Sequence, residues 1–151
     1  MRIVPLVGIV ALALVATRPA QAQWKFGPEV NWASNSIGVG LGGRVEADLA
    51  KATSVKGLGV EGAFNVYFPA GTTFWEIDGN GTYHFAIPTV TTIAPYAGAG
   101  LAIFHDVGTA AGLNLFGGTQ FTSVGKITPF AELRLILRSG SAFVITGGVL
   151  F

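Results

Sequence analysis

The sequence predicts an all-β fold: an eight-stranded antiparallel up-and-down transmembrane β-barrel, preceded by a cleaved signal peptide. Three observations lead to this fold. Apolar residues alternate with polar or small residues along eight segments, all charges inside these segments lie on one face, and the other face is apolar throughout. The composition agrees, because only 11% of the 151 residues are charged while 50% are hydrophobic, and soluble domains average about 25% charged residues.

The same composition excludes several classes of protein. The chain is too apolar to be a disordered protein, and it has no cysteine for disulfide bonds or thiolate metal sites. The net charge is +1 and there is no basic cluster, so we expect no nucleic-acid partner. A membrane protein or a strongly apolar exported β protein remains.

The N-terminal segment has the order of a secretory signal peptide. Arg2 precedes an apolar run over residues 3–16, which is shorter than the roughly 20 residues that a membrane-spanning helix needs. Ala20 and Ala22 supply the small residues of a cleavage site. We therefore expect cleavage after Ala22, with residues 1–22 as signal peptide and residues 23–151 as the barrel.

The first two segments show the alternation of a β-strand, in which successive side chains point to opposite faces. In segment 24–33 the apolar face consists of Trp24, Phe26, Pro28, Val30 and Trp32. In segment 37–49 the apolar face includes Val39, Leu41 and Val45, and the opposite face includes Arg44, Glu46 and Asp48. Each segment is predicted to be one strand.

Six further segments alternate in the same way. They are residues 57–68, 73–85, 93–104, 112–121, 127–137 and 142–151. Turn-forming residues separate several of them, as in 34–36, 69–72 and 139–140. The lengths suit tilted membrane-spanning strands, which need about 9–11 residues. An even number of strands also leaves both chain ends on one side of a closed barrel.

The charged face indicates which side of the sheet is the lumen. It carries every charge of the strands and eleven glycines, whereas the opposite face holds the large apolar residues. A water-exposed face is not normally composed largely of glycine. A narrow barrel that closes around its own side chains, in contrast, needs small residues on its inner face. We therefore expect the apolar face to contact lipid and the charged face to line the lumen.

Aromatic residues on the apolar face cluster at the strand ends and predict two girdles at the membrane interfaces. One girdle consists of Trp24, Phe26, Tyr83, Phe85, Phe121 and Phe151. The other consists of Trp32, Phe68, Trp75 and Phe143. Aliphatic residues such as Val30, Leu41 and Leu133 lie between them.

The whole chain after residue 22 resembles the small eight-stranded outer-membrane β-barrels of the OmpA-like and opacity/porin-like group. The resemblance is carried by the segments PYAGAGLAIF (95–104) and TPFAELRL (128–135) and most specifically by the C-terminal residues 143–151. It implies location in the bacterial outer membrane and contact with its lipid and lipopolysaccharide. In a departure from full-length OmpA-type proteins, we expect no periplasmic domain. The resemblance also implies that Phe143, Ile145, Val149 and Phe151 form the insertion signal, read by the outer-membrane insertion machinery after delivery by periplasmic chaperones.

We expect a polar side-chain network inside the lumen. Its members are Lys25, Glu29, Arg44, Glu46, Glu61, Glu76, Asp78, Glu132 and Arg134. If the first hairpin turns around Asn35, Gly27 lies opposite Arg44, and Glu29 lies diagonal to Arg44. Acidic residues outnumber basic ones on this face, and charges in such confinement must be paired or hydrated.

Three functions are consistent with these patterns. The first is a monomeric outer-membrane barrel with a structural or surface role and a lumen plugged by polar side chains. The alternatives are a narrow channel for water or small cations and a secreted soluble barrel that binds an apolar ligand. We expect no enzymatic activity, cofactor or metal, because the sequence has only two histidines, His84 and His105, and no ligand spacing around them.

Overall fold

The protein is a closed antiparallel β-barrel in which each strand pairs with its neighbour in sequence and β8 closes on β1. This computed structural model describes residues 23–151. The strands are β1 Gln23–Ala33, β2 Gly38–Asp48, β3 Leu58–Tyr67, β4 Phe74–His84, β5 Ile93–His105, β6 Thr109–Phe121, β7 Thr128–Leu137 and β8 Ala142–Leu150. The eight-stranded barrel predicted from the alternation is confirmed. The expected signal peptide, with its cleavage after Ala22, lies outside the described residues.

The register of the first hairpin follows from its tight turn. Asn35 and Ser36 both have positive φ angles, 59° and 63°, as a two-residue turn matched to the twist of the strands requires. The pairing that follows places Gly27 opposite Arg44 and Lys25 opposite Glu46. This is the predicted register.

The connection between β5 and β6 differs from the sequence expectation. Strand β6 begins at Thr109 rather than at residue 112, because residues 109–111 continue the pairing with the end of β5. The turn left between them is short, and the Asp106 side chain accepts hydrogen bonds from the backbone N–H groups of Val107 and Gly108. The connection between β2 and β3 contains a single helical turn, α1 (Ala50–Thr53), which ends at Ser54 in a left-handed conformation.

The barrel has two distinct ends, which we name by the chain segments found there. The terminal end carries Gln23 at the start of β1 and Leu150 at the end of β8. The loop end carries the connections β1–β2, β3–β4, β5–β6 and β7–β8. Within residues 23–151, no helix has the length and apolar character needed to cross a membrane.

The inward face is packed by aromatic rings set against glycines on the neighbouring strand. Tyr96 on β5 pairs with Gly118 on β6, and a Cβ atom built on Gly118 would lie 2.7 Å from the Tyr96 ring. Phe130 on β7 pairs with Gly148 on β8 in the same way, with a corresponding distance of 2.7 Å. Tyr67 with Gly40 and Phe116 with Gly98 repeat the arrangement. Each missing side chain thus provides the space that an inward ring fills.

Adjacent glycines on β8 test this packing, because they point to opposite faces. We predict that Gly148→Ala destabilises the barrel by about 1–3 kcal/mol, the usual cost of overpacking, because its Cβ would meet Phe130 and the Pro28 carbonyl oxygen 2.6 Å away. Gly147→Ala is the matched control, since no atom lies within 4 Å of its Cβ position. Urea unfolding in detergent micelles measures both, and equal stabilities would contradict the packing argument.

Candidate functional site

The centre of the lumen contains two buried arginines, and the first is Arg44 on β2. Its guanidinium donates to Glu29 Oε2 at 2.7 Å, to Glu61 Oε2 at 3.0 Å and to Glu132 Oε2 at 2.7 Å. These carboxylates come from β1, β3 and β7. Arg44 therefore links its own strand to both neighbours and to a strand on the far side of the barrel.

The second arginine, Arg134 on β7, completes the network. Arg134 donates to Asp78 Oδ2 at 2.6 Å and to Glu132 Oε1 at 2.8 Å, and it lies 3.4 Å from oxygens of Glu61 and Glu76. Glu61 and Glu132 thus contact both arginines. The two guanidinium groups form one continuous cluster rather than two separate ion pairs.

Neutral side chains fill the space around the charged cluster. The Tyr96 hydroxyl donates to Glu132 at 2.9 Å, and Asn80 donates to Glu61 at 3.1 Å. The guanidinium carbon of Arg44 lies 4.4 Å from the centre of the Phe130 ring, a distance at which a cation is attracted by the ring face. The same inward rings that pack against glycine therefore also border the charges.

The charge of this cluster is not balanced by protein groups alone. Five buried carboxylates, those of Glu29, Glu61, Glu76, Asp78 and Glu132, surround two guanidinium groups. The Oε1 atom of Glu29 is buried and has no hydrogen-bond partner among the described residues. Uncompensated charge at low dielectric is costly, so protons or water must offset the excess negative charge.

The two ends of the lumen differ in polarity. At the loop end, a buried apolar cluster covers the charged centre; it consists of Ala33, Tyr67, Phe74, Ala102, Phe104, Ile136 and Val144. At the terminal end, Gln120 donates to Glu46 at 2.8 Å and accepts from Lys25 at 3.4 Å. Both of these charged residues are only partly buried. The lumen is therefore polar toward the terminal end and apolar toward the loop end.

The outer face carries the residues assigned to the aromatic girdles and the insertion signal. Among the girdle residues, Trp75 is half-buried. All the others are exposed: Trp24, Phe26, Trp32, Phe68, Tyr83, Phe85, Phe121, Phe143 and Phe151. Ile145 is exposed on β8, and Val149 on the same strand is half-buried. Large apolar side chains thus cover the outside of the barrel while the charged ones are inside.

The two histidines lie far apart and in different surroundings. His84, at the end of β4, stacks on Tyr96 with ring centres 5.2 Å apart. His105, at the end of β5, stacks on Trp75 and lies 3.0 Å from the Thr109 hydroxyl. In the part of the chain that the structure describes, no three His, Asp or Glu side chains are grouped to hold a metal ion.

The inward aromatic residues were not singled out by the sequence patterns. They are Tyr67, Phe74, Tyr96, Phe104, Phe116 and Phe130. The period of two could have identified them, because Phe130 is in phase with Glu132 and Arg134, and Phe116 is in phase with Gly118. A large apolar residue in phase with charges and glycines indicates an interior ring.

Solved structures with the same fold identify the architecture. The N-terminal β-barrel domain of Pseudomonas aeruginosa OprF matches at a TM-score of 0.63 and 17% identity, covering 87% of this chain and 98% of that one. Neisserial surface protein A matches at 0.60 and 18%, covering 84% and 94%. The outer membrane enzyme PagL matches at 0.55 and 15%, covering 84% and 98%. No protein-family model and no curated protein sequence matches the chain.

Substitutions of two carboxylates measure how the cluster is held together. We predict that Glu132→Gln destabilises the barrel by about 3 kcal/mol, because one of its buried partners, Arg44 or Arg134, then faces an amide N–H₂ instead of a carboxylate oxygen. Glu29→Gln is the matched control with an expected cost within about 1 kcal/mol, since it keeps the oxygen that Arg44 uses and alters the oxygen without a partner. Unfolding in micelles measures both, and a costlier Glu29→Gln would overturn this assignment.

Proposed function

We propose that this chain, which has the fold of the small eight-stranded outer-membrane β-barrels, is an integral outer-membrane protein with a structural or surface role. The observation that carries the proposal is the inversion of polarity between its two faces. Exposed side chains such as Val30, Leu41 and Leu133 are about half accessible on the outside, at 54%, 54% and 52%. Glu61, Arg44 and Arg134 are 2–3% accessible on the inside.

Water would make this arrangement unfavourable. Soluble monomers rarely expose a continuous apolar patch above a few hundred Å², and here apolar residues are exposed on every strand of the barrel. A lipid bilayer removes that cost, and closure of the sheet leaves no strand edge without hydrogen bonds. A soluble barrel that binds an apolar ligand would need an apolar lumen. The buried charges in this lumen therefore argue against that alternative.

The proposal includes a lumen that is filled by side chains and does not conduct. An eight-stranded barrel has an interior just wide enough for its own side chains. The Arg44 and Arg134 cluster spans that interior, and the apolar cluster at the loop end adds a barrier to ions. Both features support the plugged lumen over the narrow channel.

Biogenesis and location complete the proposal. The signal peptide is cleaved after Ala22, chaperones deliver the chain, and the insertion machinery reads Phe143, Ile145, Val149 and Phe151. The terminal end faces the periplasm and the loop end faces outward. The barrel is monomeric and its girdles contact membrane lipid and lipopolysaccharide. In this proposal it performs no chemistry of its own: His84 stacks on Tyr96, His105 stacks on Trp75 and hydrogen-bonds to the Thr109 hydroxyl, and neither ring is hydrogen-bonded to a carboxylate of the described residues.

Arginine substitutions on β7 test the membrane environment. We predict that Leu133→Arg, near the middle of the strand, destabilises the barrel in lipid vesicles by about 2–4 kcal/mol. Leu137→Arg, at the end of the same strand, is expected to cost about 0–1 kcal/mol because it lies near an interface. Unfolding by denaturant in vesicles measures both. An outer face in contact with water would give small and equal effects, and that result would refute the proposal.

Planar-bilayer recording tests the closed lumen. We expect no discrete conductance steps from the purified barrel at neutral pH, because the arginine–carboxylate cluster occupies the narrow interior with side chains. Fractionation of the cells that produce the barrel checks its location. Conductance steps that Glu76→Gln abolishes would instead establish the narrow cation channel.

A further inference from the structure

A small pocket opens at the loop end, outside the lumen cluster. Its volume is about 210 Å³, equivalent to roughly seven water molecules at about 30 Å³ each. Residues of the β1–β2, β3–β4 and β5–β6 connections and Arg138 line its walls, and Phe74 and Phe104 also contribute to the lining. The pocket is thus too small for a drug-sized ligand but large enough for a single polar group with a few attached atoms.

Arg138 is the residue in this pocket that lacks a partner. Its guanidinium carbon lies 4.6 Å from the centre of the Phe104 ring, which holds the flat cation in place through the ring face. Arg138 forms no ion pair with any carboxylate of residues 23–151, whereas Arg44 and Arg134 each contact several. Although the side chain as a whole is partly exposed, its Nε atom is buried without a hydrogen-bond acceptor among these residues.

The Arg138 Nε–H group has no acceptor among the described residues and can donate to an acceptor from outside the chain. A buried donor without a partner costs free energy, and guanidinium groups bind phosphate oxygens through paired N–H donors. The hydroxyl-bearing residues Ser36 and Thr72 also line the pocket, so further donors are available for the remaining oxygens. A phosphate monoester, with its three acceptor oxygens, suits this set better than a carboxylate.

Asp106 restricts the kind of molecule that can carry the phosphate. It lines the same pocket, and the backbone N–H groups of Gly108 and Val107 hold the pKa of its carboxyl below the usual value. It is therefore ionised at neutral pH, so it weakens the binding of the phosphate itself and disfavours further acidic groups on the carrier. It accepts hydrogen bonds from hydroxyl or amine groups instead, which occur on phosphorylated sugars.

We propose that the loop-end pocket is a binding site for a phosphate monoester on a sugar-like carrier, with Arg138 as the anion-binding residue. Two sources offer this chemistry. One is the phosphorylated sugar headgroup of lipopolysaccharide in the surrounding membrane, and the other is a free phosphate compound from outside. The first source depends on the proposed outer-membrane location, whereas the binding itself does not.

Titration of the folded barrel in non-ionic detergent micelles with inorganic phosphate tests the site. We expect a saturable NMR shift of the Arg138 Nε–Hε resonance, assigned by its loss in Arg138→Gln, and none with chloride at equal ionic strength. Calorimetry is expected to show at least tenfold weaker phosphate binding for Arg138→Gln, and tighter binding for Asp106→Asn. Lys126→Gln is the matched control, since it removes one positive charge from an exposed residue between β6 and β7 and leaves the affinity unchanged.

A second arm of the experiment distinguishes the sources. A shift of the Arg138 resonance on adding lipopolysaccharide without free phosphate identifies the lipid headgroup, whereas a shift with inorganic phosphate and none with lipopolysaccharide identifies a free compound. The absence of both shifts, or equal affinity in Arg138→Gln and the unmodified barrel, would overturn the site. Recovery of the protein in the soluble periplasm would refute the membrane location but leave the phosphate titration unaffected.

Discussion

The narrow interior of an eight-stranded barrel is the constraint on which the rest of this structure depends. Such a lumen has little room beyond its own side chains, so the inward side chains must fit together in size and most of their polar atoms must pair inside the barrel. Two guanidinium groups occupy the centre, and their contacts with carboxylates join β1, β2, β3, β4 and β7. The charges therefore tie opposite walls of the barrel together, which no contact between adjacent strands can do.

The glycines of the inward face follow from the same constraint. A ring as large as that of Phe130 fits into the lumen only because its cross-strand partner, Gly148, has no side chain. The glycine at the adjacent position, Gly147, faces outward and has open space around its Cβ position. Inward and outward glycines thus differ physically: the former make room for an interior ring, and the latter only reduce the bulk of the outer wall.

Filling the interior with charge reverses the usual polarity of a folded protein. Because the charged and polar side chains occupy the inside, the apolar residues are left on the outside, where a lipid bilayer is the favourable environment. The interior chemistry also changes along the barrel axis, from Lys25 and Glu46 at the terminal end to Ile136 and Val144 at the loop end. This gradient separates the charged centre from the loop-end pocket, and Arg138 forms no ion pair with any of the five carboxylates around Arg44 and Arg134.

The sequence alone determined the number of strands, their order, their faces and the register of the first hairpin. Each of these follows from local physics, because alternation of period two assigns the face and a two-residue turn assigns the pairing of Gly27 with Arg44. Which inward residues contact each other was decided only by the tertiary structure. Arg44 and Glu132 are 88 positions apart, and their contact depends on how the closed, staggered barrel brings β2 and β7 together across the lumen. The start of β6 at Thr109 and the pocket around Arg138 likewise depend on how loops distant in sequence meet at one rim, which no pattern within a single segment encodes.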